Sequence, residues 1–246
     1  MDTFILLTND DGVHAPGILA LRDMLRTTFQ TIIVAPDREQ SGQSHALTLN
    51  RPLRFNEVSD GVFSVDGTPT DCVMLALRGI LEKRPDLVIS GINHGANLGD
   101  DVIYSGTVAG AAEAALLDIP SIAVSMVDPS TDPSWAASIA AKIASVVLKK
   151  KLPRGIFLNV NIPPAWTGGK YEITRQGARH YRDVITRNTD PRGRPYFWIG
   201  GQLEMHDNPE SSDVAAIERG NVSITPLHLD MTASHILTEM ESWNFE

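Results

Sequence analysis

Short apolar runs alternate with stretches of helical spacing along the first two thirds of the chain. Runs of this kind are typical of strands that are buried on both faces of a parallel sheet. Five of them predict strands, at residues 4–7, 31–35, 87–90, 121–127 and 155–161. The periodic segments between them predict helices, which begin near Pro16, Pro69, Val108 and Trp135. Because strands and helices alternate, we predict an α/β fold, doubly wound around a mostly parallel sheet.

The pattern changes after residue 162. From 163 to about 201 the chain is rich in proline, glycine, arginine and aromatic residues, which we interpret as a protruding β arm. We therefore divide the chain into a core at 1–162 and a β-rich C-terminal extension at 163–246. Less distinct patterns predict short strands or a hairpin at 45–50, 53–58 and 62–65, arm strands at 171–176 and 196–199, a helix at 212–218, a strand at 222–225 and a closing helix at 232–241.

Composition and charge are those of an ordinary soluble globular protein. Of the 246 residues, 42% are hydrophobic and 21% are charged, and the formal net charge is −9. Such an acidic balance argues against binding of nucleic-acid backbone or anionic membranes. The single cysteine, Cys72, excludes an intramolecular disulfide and fits a reducing compartment. Since no signal peptide and no apolar run of about 20 residues is visible, we expect a cytoplasmic protein.

Polar residues follow three of the predicted strands at their carboxyl ends. Asp10 and Asp11 come after the first strand, Ser41 after the second, and Asn93 with Asn97 after the third. Open parallel sheets bind ligands at this edge, so we expect the three loops to converge. Carboxylate, hydroxyl and amide oxygens suit Mg²⁺, Mn²⁺ or Ca²⁺, whereas Zn²⁺ prefers nitrogen and sulfur. The sequence therefore predicts a divalent-cation site.

A candidate anion site lies at the start of the helix predicted at 108–117, where Ser105, Gly106 and Thr107 stand. Free N–H groups and the positive dipole end of a helix attract anions, and glycine allows close approach. A site with a cation opposite such a terminus suits a phosphoryl group. The cation polarises a phosphoryl oxygen and lowers the pKa of bound water. Hydrolysis of a phosphate ester is the favoured interpretation, with phosphate binding alone as the alternative.

Each of these signals also has a simpler interpretation. The acidic pair could cap a helix, Ser41 could be an ordinary loop serine, and the asparagines could serve turns. His45, four residues beyond Ser41, is a candidate substrate contact. We interpret His14 as a half-exposed loop residue and Cys72 as core packing. Only the combination favours a functional site.

Six segments of the chain resemble a single protein family. They are TNDDGVHAPGI, VAPDREQSG, GTPTDCV, SGINHGANLGDDVIYSGTVAGAAE, DPRGRPYFWIGG and ITPLHLDMT, and together they extend over almost the whole chain. On these motifs the chain resembles the SurE family, the survival-protein-E 5′/3′-nucleotidases. The resemblance implies a Rossmann-like core with a C-terminal extension used for oligomerisation. It also implies metal-dependent hydrolysis of nucleoside monophosphates to nucleoside and phosphate, with trimming of short polyphosphate in some members.

The resemblance further implies roles for individual positions. One divalent ion per subunit, Mn²⁺ or Mg²⁺, would be held by Asp10, Asp11, Ser41 and Asn93. The phosphate and substrate contacts would fall on Asn9, Asn97, Ser105, Gly106 and Thr107. An arm that joins subunits into a homodimer or homotetramer would include Arg179, Tyr181, Arg192 and Tyr196.

We therefore expect a phosphomonoesterase in which Asp10 and Asp11 are catalytic. Either could accept the proton of the attacking water, with His45 as a less favoured acceptor, and a covalent aspartyl-phosphate on Asp10 stays open. The alternatives are a non-catalytic nucleotide-binding module and a Mg²⁺-binding phospho-acceptor domain, which would require an aspartate where Asn93 stands. A dinucleotide-dependent oxidoreductase is excluded because no GxGxxG follows the first strand.

Overall fold

The structure is a computed structural model that describes residues 3–164, 168–204 and 207–245. Residues 1, 2, 165–167, 205, 206 and 246, which fall in the predicted core and extension, lie outside the described residues. The strands are β1 (Phe4–Thr8), β2 (Gln30–Pro36), β3 (Phe55–Ser59), β4 (Val62–Val65), β5 (Leu87–His94), β6 (Ser121–Met126), β7 (Ile156–Ile162), β8 (Tyr171–Ile173), β9 (Tyr181–Thr189), β10 (Pro195–Leu203) and β11 (Val222–His228). The helices are α1 (Pro16–Leu25), α2 (Pro69–Leu75), α3 (Asp101–Tyr104), α4 (Gly106–Leu116), α5 (Pro133–Lys150), α6 (Asp213–Glu218) and α7 (Leu237–Met240).

Among the described residues, nine strands form one sheet in the order β3-β4-β2-β1-β5-β6-β7-β11-β8. The strands from β4 to β7 in this order run parallel, whereas β3 and β11 are antiparallel to β4 and β7. β1 pairs with both β2 and β5, so the chain builds one half of the sheet and then returns to build the other. The carboxyl ends of β1 and β5 therefore mark the switch point where such sheets bind ligands. The predicted doubly wound, mostly parallel fold is confirmed.

Helices cover both faces of this sheet. α1 packs with α5 on one face, and α2 packs with α4 on the other. Neighbouring residues of β1 point to opposite faces: Leu7 packs in the cluster that contains Leu21 and Ile143, whereas Leu6 packs in the cluster that contains Cys72. Both faces of β1 are therefore buried, which explains its continuous apolar run. Cys72 is buried, as its core interpretation requires.

The helix predicted from Pro69 begins as expected and ends earlier. Thr68 and Asp71 exchange side-chain and backbone hydrogen bonds in a capping box that fixes its start. The apolar spacing predicted a helix as far as Leu81, but α2 is followed by a π-helical turn over Ala76–Ile80. The apolar residues of this turn still pack against the core, so their burial did not distinguish the two conformations.

The segment between β2 and β3 contains no strand, so the strand predicted at 45–50 is wrong. Its apolar residues Leu47 and Leu49 are exposed, and the alternating pattern there belongs to an irregular connection. The hairpin prediction is confirmed for β3 and β4, which pair antiparallel and join the edge of the sheet beside β2.

The C-terminal extension contributes both to the sheet and to a separate arm. β9 and β10 form a two-stranded antiparallel sheet of their own, as expected for the arm. The strand predicted at 171–176 was assigned to this arm wrongly, because β8 instead pairs in parallel with β11 at the edge of the main sheet. Local sequence indicates that such a segment is extended, but it does not specify the partner strand.

The predicted closing helix is largely replaced by shorter structure. Residues 232–241 contain a 3₁₀ turn, Ser234–Ile236, followed by the single turn of α7. Leu237 of this segment is exposed, and a short helix without a buried face is marginal in water. In residues 3–164, 168–204 and 207–245 no helix is long and apolar enough to span a membrane.

Candidate metal and phosphate site

Asp10 and Asp11 lie in a tight turn at the carboxyl end of β1. The side chain of Asn9 closes this turn, since its Nδ2 donates to the carbonyl of Gly12 at 2.9 Å and its Oδ1 accepts from the N–H of Gly12 at 3.2 Å. Gly12 has a φ of +101°, a conformation that side-chain-bearing residues rarely adopt. The turn therefore depends on asparagine and glycine, and it fixes the acidic pair at the switch point. Asn9 is fully buried and bonded within the turn.

The carboxylate of Asp10 faces the N-terminus of α4. The hydroxyl of Thr107 donates to Oδ1 of Asp10. A Cβ placed on Gly106 would lie only 2.9 Å from the Cβ of Asp10 and 3.0 Å from its Oδ2. Glycine at 106 is therefore required for the helix to approach this closely, and the helix terminus stabilises negative charge at this point.

Both carboxyl groups are costly to ionise without a cation. Burial raises the pKa of Asp10 to about 6, and the charge of Asp11 adds to this, although the hydrogen bond from Thr107 lowers it. Burial also raises the pKa of Asp11, which His94 lowers and Glu39 raises further. Asp10 is only 4% exposed. An acidic pair with one buried and one partly buried member is suited to a divalent ion, whose charge would favour the ionised forms.

The loop after β2 brings Ser41 towards this pair. The N–H of Gln40 donates to the carbonyl of Asp10 at 2.7 Å, so the loop is bonded to the turn of β1 one residue before Ser41. Ser41 itself is exposed, and its hydroxyl donates to Oε1 of Glu39 at 2.9 Å. The lone pairs of this hydroxyl therefore stay available to a ligand.

Asn93 lies near the end of β5, beside Asp11. The N–H of the next residue, His94, donates to Oδ2 of Asp11 at 3.2 Å. The pairing of β5 with β6 shifts between Ser90 and Asn93, an irregularity of the kind that redirects side chains near active sites. The amide nitrogen of Asn93 donates to the carbonyl of Gly95 at 2.9 Å, and within the described chain no group donates to its Oδ1. This oxygen is the free acceptor that a cation would use.

Asn97 is buried and held on all sides. Its Nδ2 donates to Oγ of Ser125 at 2.8 Å, and its N–H donates to Oδ1 of Asn161 at 2.8 Å. Its carbonyl accepts from Nδ2 of Asn159 at 2.8 Å and from Nδ2 of Asn161 at 2.9 Å. Sequence reasoning missed this support, although two asparagines at alternate positions of the otherwise apolar strand β7 were a visible signal.

Ser105 is the N-cap of α4. Its Oγ accepts from the N–H of Val108 at 3.1 Å. The hydroxyl is therefore engaged by the helix, and Ser105, Gly106 and Thr107 together form the terminus that the sequence predicted. The terminus faces Asp10 through the contacts of Gly106 and Thr107.

Two of the histidines in the predicted loops, His45 and His94, lie close to carboxylates. His45 lies with its Nε2 2.8 Å from Oε2 of Glu113 on α4, a residue that sequence reasoning did not select. His94 has its Nδ1 4.0 Å from Oδ1 of Asp11. His14 is exposed, as interpreted.

The donor set is consistent with an oxygen-liganded cation. In the described part of the chain, no group of three or more His, Cys, Asp or Glu side chains could hold a metal ion by itself. The predicted set contains only two carboxylates, and the oxygens of Ser41 and Asn93 would have to complete it. Such a set, without nitrogen or sulfur, suits Mg²⁺ or Mn²⁺.

A separate cavity of about 660 Å³ opens at the amino ends of β1, β5, β6 and β7. Three of the charged side chains that line it already have partners: Arg154 donates to Asp118, and Arg84 donates to the carbonyl of Leu117. None of the residues selected from the sequence lines it. The candidate site is at the opposite end of the sheet.

Comparison with known proteins identifies relatives along the whole chain. A family model described as "Survival protein SurE" matches residues 5–183. A protein of Geobacter sulfurreducens named "5'-nucleotidase SurE" is 51% identical over 98% of this chain and 93% of its own length. Its counterpart of the same name in Pelobacter propionicus is 52% identical over 98% of this chain and 99% of its own length.

A solved structure gives the same answer for the fold. The crystal structure of the SurE protein from Aquifex aeolicus superimposes with a TM-score of 0.85 at 42% sequence identity, covering 97% of this chain and 98% of that one. Similarity of this extent reaches both the core and the C-terminal extension. The chain therefore belongs to the SurE family of survival proteins.

Proposed function

We propose that this protein is a divalent-metal-dependent nucleotidase. It would hydrolyse the phosphate monoester of nucleoside 5′- and 3′-monophosphates to nucleoside and phosphate, and short polyphosphate is a further substrate. The observation that carries the proposal is the contact of Asp10 with Thr107, which sets the buried member of the acidic pair against the N-terminus of α4 at the switch point of the sheet. The name shared by the matched relatives, 5'-nucleotidase SurE, supports the same activity.

One divalent cation, Mn²⁺ or Mg²⁺, would be held by oxygens of Asp10, Asp11, Ser41 and Asn93. Ca²⁺ would suit the same oxygens. When bound, this ion would polarise the phosphoryl group and lower the pKa of bound water towards neutral pH. Either Asp10 or Asp11 would take the proton that water loses on attack.

The remaining residues would bind and orient the phosphate. The start of α4 at Ser105, Gly106 and Thr107 would face the equatorial oxygens of the phosphate and stabilise their charge. Asn97 is held in place by Ser125, Asn159 and Asn161, so it would contact the phosphate from a rigid segment. Asn9 would act by holding the acidic turn in shape.

The alternative functions have less support. A phospho-acceptor domain would place an aspartate at the end of its central strand, and Asn93 stands at the end of β5. A binding module without catalysis accounts for the phosphate contacts but not for the activity after which the relatives are named.

The arm formed by β9 and β10 would join subunits into a homodimer or homotetramer. Its large apolar side chains are exposed, among them Trp198 at 67% and Ile199 at 85%. Exposed apolar surface of this extent is typical of an interface between proteins.

The nucleotidase proposal is tested by release of phosphate from a panel of 5′- and 3′-monophosphates of all common nucleosides in the presence of Mn²⁺. We expect equal amounts of nucleoside and phosphate from the preferred members. Binding of these nucleotides without release of phosphate from any of them would contradict the proposal and favour a binding module.

A further inference from the structure

Glu113 is a buried carboxylate in a helix made otherwise of small apolar residues. Its side chain is 2% exposed, and α4 around it reads VAGAAEAAL. Within the described chain, the only group bonded to this carboxylate is His45, whose Nε2 lies 2.8 Å from Oε2. The second oxygen, Oε1, is buried and has no partner there. An acid in this environment is costly, and an apolar residue of similar size would often stabilise the fold as well or better.

The partner of Glu113 belongs to the irregular segment that carries Ser41. On one side of Ser41, the N–H of Gln40 donates to the carbonyl of Asp10. On the other side, Ser44 donates through its hydroxyl to the carbonyl of Ile103 at 2.6 Å, and His45 contacts Glu113. These contacts tie an otherwise exposed connection to the turn of β1, to α3 and to α4.

The contact between His45 and α4 connects two parts of the candidate metal site, the carboxylate of Asp10 and the segment that carries Ser41. The first turn of α4 bonds Asp10 through Thr107, and Glu113 lies about two turns further along the same helix. A helix of this length is rigid, so it sets a fixed spacing between the carboxylate of Asp10 and the segment that carries Ser41. Removal of Glu113 would break the bond between this segment and α4, and the segment just after Ser41 would then be held by the bonds of Ser44 to α3.

We propose that Glu113 is a positioning residue, which acts through His45 to hold the hydroxyl of Ser41 within reach of the cation. The inference rests on the proposed function, because it assigns Ser41 to the metal site. Glu113 does not touch the metal or the substrate. Its buried carboxylate would be retained for the geometry of the loop rather than for the stability of the fold.

The test uses Mn²⁺ alone, titrated into chelator-treated protein by calorimetry, with thermal unfolding measured in parallel. We expect Glu113→Ala to weaken Mn²⁺ binding by about tenfold or more, the usual effect of losing a group that orients a metal ligand. We also expect its thermal stability without metal to be unchanged or higher, since alanine favours helix and removes an unpaired oxygen. Glu113→Gln, which can still bond His45, should recover most of the affinity.

Two further variants separate positioning from a general structural effect. His45→Ala removes the same contact from the side of the loop, and it should weaken Mn²⁺ binding by the same factor as Glu113→Ala. Because it leaves the carboxylate of Glu113 buried without a partner, its thermal unfolding is measured alongside to show that the protein is still folded. In a Ser41→Ala background, Glu113→Ala should have no further effect on Mn²⁺ affinity. Leu116→Ala is the matched control, because Leu116 is 58% exposed on the same helix. It should bind Mn²⁺ like the unaltered protein.

The Mn²⁺ titrations distinguish failure of the inference from failure of the proposed function. Unchanged Mn²⁺ affinity in both Glu113→Ala and His45→Ala would overturn the inference and leave the proposed function intact. A loss caused by Glu113→Ala that persists in the Ser41→Ala background would also overturn it, because the effect would not pass through Ser41. Failure of the unaltered protein to bind Mn²⁺ or to release phosphate would instead overturn the proposed function and, with it, the metal site on which the inference rests.

Discussion

The hydroxyl of Thr107 donates a hydrogen bond to Oδ1 of Asp10 and so joins the first turn of α4 to the end of β1. This contact spans 97 positions of sequence and lies at the point where the strand order of the sheet reverses. It brings the candidate cation ligand and the candidate phosphate terminus together.

Loss of the Thr107 hydroxyl should impair both activity and stability. Thr107→Val keeps the shape of the side chain but removes the donor to a buried carboxylate. We expect a loss of about 1.5–3 kcal/mol in the free energy of unfolding at neutral pH, the range for hydrogen bonds to charged groups. The ratio kcat/KM should fall by about tenfold or more, as for loss of a donor in an active site. Thr107→Ser should retain most of the stability and most of the activity. A Thr107→Val protein with unchanged stability and unchanged kcat/KM would contradict the role of this bond.

A methyl group at position 106 should disturb the acidic pair without unfolding the helix. Gly106→Ala places a Cβ 2.9 Å from the Cβ of Asp10, so the carboxylate or the helix must shift. We expect kcat/KM to fall by about a hundredfold, since displacements near 1 Å at a reacting centre cost about this factor. Gly79→Ala is the control, because its Cβ would meet no atom within 4 Å, and it should keep full activity.

The metal-free protein should lose stability as the pH rises through about 6. Burial raises the pKa of Asp10 from 3.8 to about 6, so the folded protein holds a proton that the unfolded chain releases at lower pH. This contribution is fully present below pH 3.8 and is lost above pH 6, and roughly two pKa units amount to about 3 kcal/mol. In chelator, Asp10→Asn should therefore be more stable than the unaltered protein at pH 7. Denaturant unfolding at several pH values measures this, and a less stable Asp10→Asn at pH 7 would contradict it.

The exposed arm should control the size of the assembly. Ile199→Glu replaces an apolar side chain that is 85% exposed with a charged one. The folded subunit should tolerate this change, whereas an apolar interface between subunits would be weakened by it. We expect light scattering to show a smaller assembly than the unaltered protein forms. Lys149→Glu, an exposed change on α5 outside the arm, should keep the original mass. Equal masses for all three proteins would exclude the arm from assembly.

The sequence predicted the fold correctly where burial or capping leaves a recognisable pattern of residue types. The apolar run of β1 is buried on both faces, and the capping box at Thr68 and Asp71 formed where its residue types indicated. The partner of β8 was not readable, because a three-residue extended segment can pair with an arm or with the sheet edge and its side chains do not discriminate.

The site was readable in outline but not in its internal contacts. The rule that ligands bind at the carboxyl ends of parallel strands predicted that Asp10 and Ser41 would approach, and the Gln40–Asp10 bond is consistent with this. Glu113 was missed because one acid in an alanine-rich helix has the same sequence pattern whether it faces solvent or the core. Only the packed structure shows that it is buried and bonded to His45.

Metal dependence tests the central proposal most directly. The measurement is phosphate release from a nucleoside monophosphate by chelator-treated protein, before and after addition of Mn²⁺, for the unaltered chain and for Asp10→Asn. We expect no turnover in chelator, recovery with Mn²⁺, and a loss of at least about a hundredfold in Asp10→Asn at saturating Mn²⁺. Turnover that continues at the same rate in chelator, or an Asp10→Asn protein with full activity, would contradict it.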